Sequence, residues 1–149
     1  MAEDGTAADT WTGGCLCGQV RFRGQGPLAD VLACHCRQCR RMSGHVYAAT
    51  AAPQDAFEIT ESAGLSWYQS SATSRRGFCK NCGSSLFFDH GSKEPMGIAA
   101  GAFDGEPPFR LVAHIYTDEA GGYYDIADGA ERYDSAAWSR GGWKKYRSQ

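Results

Sequence analysis

Apolar and polar positions alternate over short distances along this chain, and glycine interrupts each run before a long helix can form. Residues 19–23 (QVRFR) alternate strictly, the mark of a half-buried strand. Residues 28–34 and 45–50 are apolar enough to be strands, and 57–59 and 65–68 are short β candidates on either side of a turn at Gly64. Residues 76–78 run into a C-x-x-C and 85–88 run out of it, which predicts a hairpin with two thiols at its tip. Later strands are expected at 96–100 and 109–116, with a 104–108 loop between them. Nineteen glycines argue against long helices, and the best helical segment is one or two turns over 37–42. The pattern reads as a mainly β protein with few short helices. Residues 1–10 read as a loose polar tail, 11–138 as a single domain and 139–149 as a peripheral tail.

Charge and length narrow the function. A chain of 149 residues is long enough to bury its own core. A net charge of −2 speaks against a general nucleic-acid or membrane-surface binder. No run of eighteen apolar residues is present, so no transmembrane helix is expected. The start of the chain lacks the basic and apolar regions of a secretory signal. The expected location is the cytoplasm, where thiols stay reduced.

The cysteines change the picture most. Seven of them fall into three groups: Cys15-x-Cys17, Cys34-x-Cys36-x-x-Cys39 and Cys79-x-x-Cys82. An odd number suits disulfides poorly, and gaps of one and two residues let sulfurs converge on one tetrahedral ion. Three cysteines within six residues can wrap a single Zn²⁺. Cys15, Cys17, Cys79 and Cys82 then form a closed four-sulfur site that clips distant parts of the chain together, although spacing alone also permits swapped pairings. A zinc with three protein sulfurs is suited to holding an external thiol as thiolate, the nucleophilic form, and less suited to making hydroxide. The competing reading has His35, His45, His90 or His114 complete that ion, leaving two structural sites.

The stretches Gly14-Cys-Leu-Cys-Gly-Gln-Val-Arg21, Cys34-His-Cys-Arg-Gln-Cys-Arg-Arg-Met-Ser-Gly44 and Arg76-Gly-Phe-Cys-Lys-Asn-Cys-Gly-Ser-Ser-Leu86 resemble the glutathione-dependent formaldehyde-activating enzyme family, which also contains centromere protein V. The resemblance runs from about Gly13 to about Ile115. It implies a zinc-centred fold related to methionine-R-sulfoxide reductase B and the β-tent proteins. It implies two zinc ions per chain, structural at Cys15, Cys17, Cys79 and Cys82 and catalytic at Cys34, Cys36 and Cys39. It also implies a carbon–sulfur lyase that joins glutathione and formaldehyde as S-hydroxymethylglutathione. Glutathione carries two carboxylates, so Arg40 and Arg41, beside the middle cluster, are candidate substrate contacts. His114, in the strand 109–116, is a third candidate, because the family commonly has a histidine there. The alternative is a zinc-stabilised binding module that contacts protein or nucleic acid through 37–41 and 144–147. A thiol–disulfide or sulfoxide reductase would need a free cysteine, and seven ligands for two zincs leave none.

Overall fold

The computed structural model describes residues 10–91 and 93–147. In chain order the elements are β1 Thr10–Gly14, β2 Arg21–Gln25, β3 Val31–Cys34, α1 Arg37–Ser43, β4 Tyr47–Ala52, β5 Phe57–Glu61, β6 Leu65–Gln69, β7 Arg75–Cys79, β8 Ser85–Asp89, β9 Met96–Ala99, β10 Leu111–Ile115, β11 Glu131–Tyr133, α2 Ser135–Ala137 and α3 Lys144–Arg147. The fold is mainly β with few short helices, as the alternating pattern predicts. Among the described residues no helix is long and apolar enough to cross a membrane.

The chain forms two compact units. Among the described residues, one is built from 10–28 and from Ala51–Pro108, and the other from Ala29–Thr50 and from 109–147.

In the first unit β1, β2 and β5 make an antiparallel sheet, and β6, β7, β8 and β9 pair consecutively as an antiparallel meander. Aromatic side chains fill its interior. Phe22 and Phe87 are buried and meet edge to face with centroids 5.7 Å apart, while Phe103 stands 5.4 Å from Phe22. Such pairs add about 0.5–1.5 kcal/mol beyond the area they bury. Strand β1 escapes the sequence pattern because TWTGG offers one large apolar residue and two glycines. Residues 1–9, read as a loose tail, lie outside the described residues, and Thr10 already belongs to β1. The predicted hairpin forms as β7 and β8, with Cys79 ending β7 and Cys82 in the turn.

In the second unit the strand order is β11-β10-β3-β4. Strand β10 runs parallel to both β3 and β11, and β3 runs antiparallel to β4. Parallel strands read as near-continuous apolar runs, and VLAC and, apart from His114, LVAHI appear so in the sequence. Helix α1 fills the connection from β3 to β4. It ends at Gly44, whose φ of 88° is the left-handed cap that glycine takes at no steric cost. Of the residues expected as a peripheral tail, 139–147 form short helical turns ending in α3. There the Tyr146 side chain is buried, its ring centroid lies 5.8 Å from that of Trp138, and its hydroxyl bonds Glu131. Lys145 Nζ reaches the same carboxylate at 2.7 Å. These contacts fasten the segment to β11.

Candidate metal centres and a row of histidines

Four cysteines of the first unit converge. Cys15 and Cys17 lie in the turn after β1, and Cys79 and Cys82 sit at the β7–β8 turn; their Sγ atoms all lie within 4.8 Å of one another. The Cys15–Cys17 and Cys17–Cys79 sulfur separations are both 3.7 Å. A disulfide needs about 2.05 Å, so these are thiols. A tetrahedron with metal–sulfur bonds of about 2.3 Å has edges of about 3.8 Å, and the observed spacing fits it. Surrounding donors point at the sulfurs: Val20 N–H at 3.2 Å from Cys15, Asn81 Nδ2 at 3.2 Å from Cys17 and Cys82 N–H at 3.5 Å from Cys79. The Ser84 hydroxyl, 3.2 Å from Cys82 Sγ, is the leading cause that brings the Cys82 thiol down to about 5. Donors aimed at sulfur stabilise thiolates, the form that binds metal.

Gly64 shows how tightly this cluster is enclosed. Its N–H bonds Gln19 O at 2.9 Å, and its own carbonyl accepts from Lys80 N–H at 2.7 Å. A Cβ placed there would stand 2.7 Å from Cys79 Sγ and 2.9 Å from Gln19 Cβ. Gly64→Ala is therefore expected to lower stability by about 1–3 kcal/mol, the usual range for overpacking. Thermal unfolding with metal analysis checks this, and an unchanged midpoint would contradict it.

Three cysteines of the second unit form the other group, with Sγ atoms within 4.8 Å of one another. Cys34 ends β3, Cys36 is the N-cap of α1, and Cys39 lies in its first turn. Cys36 Sγ accepts the Cys39 backbone N–H at 3.3 Å, the role a serine or aspartate often fills at a helix start. Hydrogen bonding with Cys34, then with Cys39, draws the Cys36 thiol down to about 2, and the shared bond with Cys36 pushes Cys34 up. The group thus gathers negative charge at the cap. Among the described residues no imidazole or carboxylate shares it. Both donor sets, soft and thiolate-prone, suit zinc.

The structure places the other sequence-predicted residues unevenly. Arg41 is exposed on α1. Arg40 is half-buried, and its Nε is a buried donor with no hydrogen-bond partner among the described residues. The four histidines do not complete the three-sulfur group. His90 lies in the first unit against Phe88 and Ser74. His35 is buried with 1% exposure, because it follows β3 and continues its pairing through a bond from its N–H to Ile115 O. His35 Nε2 lies 2.8 Å from His114 Nδ1, and His114 Nε2 lies 2.8 Å from an Asp128 carboxylate oxygen. His35 Nδ1 meets the Tyr124 hydroxyl, and His45 Nδ1 meets the Tyr123 hydroxyl. Burial, followed by His114 and His45, brings His35 down to about 4.

Sequence reasoning missed Tyr116, Tyr123, Tyr124 and Asp128, which carry no motif. Tyr116 follows β10 with a left-handed φ of 57°, uncommon outside glycine. Burial, with the charges of Cys34 and Cys36 among the further causes, raises its pKa. A hollow of about 1000 Å³ in the first unit is lined by Trp11, Phe57 and Phe103 among others, and none of the seven cysteines lines it.

The family model described as glutathione-dependent formaldehyde-activating enzyme matches residues 10–119. The chain belongs to that family. A protein of Schizosaccharomyces pombe (strain 972 / ATCC 24843) named an uncharacterized lyase is 29% identical over 119 residues, covering 79% of this chain and 86% of its own length. A crystal structure of a Rhodobacter sphaeroides protein superposes with a TM-score of 0.56 at 25% identity, covering 82% of this chain and 98% of that one. The matched span holds all seven cysteines, Arg40 and His114; Tyr123, Tyr124 and Asp128 lie beyond it.

Proposed function

We propose that this family member is a zinc-dependent carbon–sulfur lyase of the S-(hydroxymethyl)glutathione synthase type. It joins or separates glutathione, or another small thiol, and formaldehyde or a related aldehyde. The observation that carries this reading is the three-sulfur group, shared by no described imidazole or carboxylate, on the same short helix as an unpartnered, buried Arg40 donor. In the reaction a sulfur–carbon bond forms, the carbonyl π bond breaks, and the thiol proton ends on the new hydroxyl. Cys34, Cys36 and Cys39 would hold the catalytic zinc, and Cys15, Cys17, Cys79 and Cys82 the structural one. Zinc held by three thiolates supplies electrostatic stabilisation of a further thiolate. Arg40 binds a ligand carboxylate, Arg41 is a peripheral contact, and His114 acts through His35 on the wall of the site. Seven thiols kept reduced suit a cytoplasmic location.

The test is titration of glutathione into zinc-loaded protein followed by X-ray absorption at the zinc edge. Sulfur neighbours per zinc are expected to rise from about 3.5 to about 4, the average of one four-sulfur site and one three-sulfur site being completed. No change would reject the mechanism.

Arg40→Met keeps the helix former and the volume but removes the charge. A hydrogen bond to a charged group is worth about 1.5–3 kcal/mol, so KM for glutathione should rise about 10- to 100-fold with little change in kcat. The thermal midpoint should not fall, because an orphaned donor has been removed. Arg41→Met should change KM by less than about twofold, as expected for exposed charges. Equal effects at the two positions would refute the assignment.

A further inference from the structure

Four residues of the second unit form one hydrogen-bonded row: Asp128, His114, His35 and Tyr124. Two of them, His35 and His114, are buried, with 1% and 7% exposure. The direction of each bond follows from counting protons. A carboxylate has none to give, and Asp128 is held further toward its charged form by the Ala130 N–H and His114. Asp128 therefore accepts from His114 Nε2–H. A neutral imidazole has one N–H, so His114 Nδ1 is an acceptor and takes the proton of His35 Nε2–H. His35 Nδ1 is then also an acceptor, and Tyr124 must donate its single proton there. Burial and the neighbouring Tyr123 phenol raise the Tyr124 pKa, against smaller opposite effects of Arg40 and the Gly121 N–H, so Tyr124 keeps that proton.

The consequence lies on the far side of the phenol. With its proton committed to His35, Tyr124 presents oxygen alone to anything else that reaches it. His35 is flanked in sequence by two of the three clustered cysteines, Arg40 directly follows the third, and the Arg40 charge is one of the lesser influences on the Tyr124 phenol. The ring of Tyr124 stacks on His35 at 18° with centroids 5.6 Å apart, which holds the oxygen in place. We propose that Tyr124 is a specificity residue that reads the hydroxyl of an S-hydroxymethyl thiol, offering an acceptor because Asp128, through His114 and His35, fixes the direction of the whole row. Asp128 and His114 are positioning residues in this scheme, which rests on the lyase reading above.

The experiment uses zinc-loaded full-length protein at pH 8.5, above the ordinary imidazole range. Ring ¹⁵N shifts should show His35 and His114 both protonated at Nε2. Protonation of His35 at Nδ1 would overturn the proposal whatever the enzyme does. Binding is then compared for S-hydroxymethylglutathione, kept formed by excess formaldehyde, and S-ethylglutathione, the same size without the hydroxyl. Wild type should prefer the hydroxyl ligand about tenfold, the value of one hydrogen bond of about 1.5 kcal/mol. Tyr124→Phe should reduce the preference to within about twofold while both zincs remain. Loss of zinc in that variant would make Tyr124 structural and overturn the proposal. Asp128→Asn no longer forbids the reverse direction and should lower the preference several-fold; an unchanged preference would remove Asp128 from the scheme. Equal binding of both ligands by wild type overturns the Tyr124 assignment alone, whereas binding of neither overturns the lyase reading and the assignment with it.

Discussion

Replacing Cys79 by serine is expected to unfold much of the protein. Cys79 is fully buried at the end of β7, and its sulfur lies 3.7 Å from that of Cys17, sixty-two residues earlier. A metal held at that point closes a loop that backbone pairing alone closes weakly, and apparent zinc-binding free energies at structural sites are about 10–16 kcal/mol. Serine cannot replace thiolate toward zinc, and it leaves a buried hydroxyl beside three crowded thiols. The loss should exceed about 4 kcal/mol, or roughly 12 °C in the thermal midpoint. One zinc per chain should disappear with it. Calorimetry with metal analysis of the purified variant checks both. A variant that melts within a few degrees of wild type would show that the four-sulfur site is not the anchor of its unit.

Cys36→Ser should do the reverse. The position is the N-cap of α1, where serine is among the best residues, so the helix keeps its first bond. The neighbouring contacts of β3 with β4 and β10 do not involve the sulfur. The variant should stay folded, lose one zinc and lose turnover by about 10³-fold, because electrostatic stabilisation by a bound metal is worth several kcal/mol. Far-UV circular dichroism, zinc content and initial rates measured together decide it. Full activity without the second zinc would remove the metal from the reaction, and unfolding would make the middle group structural.

The two variants differ because the two groups are built differently, and that difference was partly readable in advance. Cys34, Cys36 and Cys39 lie within one strand end and one helical turn, so local geometry brings them together. The C-x-x-C of Cys79 and Cys82 likewise sits in a hairpin turn that the apolar runs on either side announce. Pairing that turn with Cys15 and Cys17 was one of several groupings that spacing allowed, and the fold brings those four together. Strand β1 was missed because its apolar content is a single tryptophan, and β11 because three residues carry too little pattern.

Arg40 and Arg41 were indistinguishable as letters. Only the side-chain environment separates a buried unpartnered Nε from an exposed guanidinium. His114 was visible as a polar residue in an apolar strand, but its partners were not. Parallel pairing of β10 with β3 sets His114 beside Ala33 and Ile115 beside Cys34, and this register brings His35 to His114 across a separation of seventy-nine residues.

The amino-acid order by itself determined the mainly β character and the thiol clusters, because alternation and one- or two-residue gaps act over distances a single strand or turn can span. Which arginine faces inward, and that Asp128 and Tyr124 meet two histidines, was decided only in three dimensions. Those contacts depend on strand register and on the path of the loop after β10, and neither leaves a periodic trace along the chain.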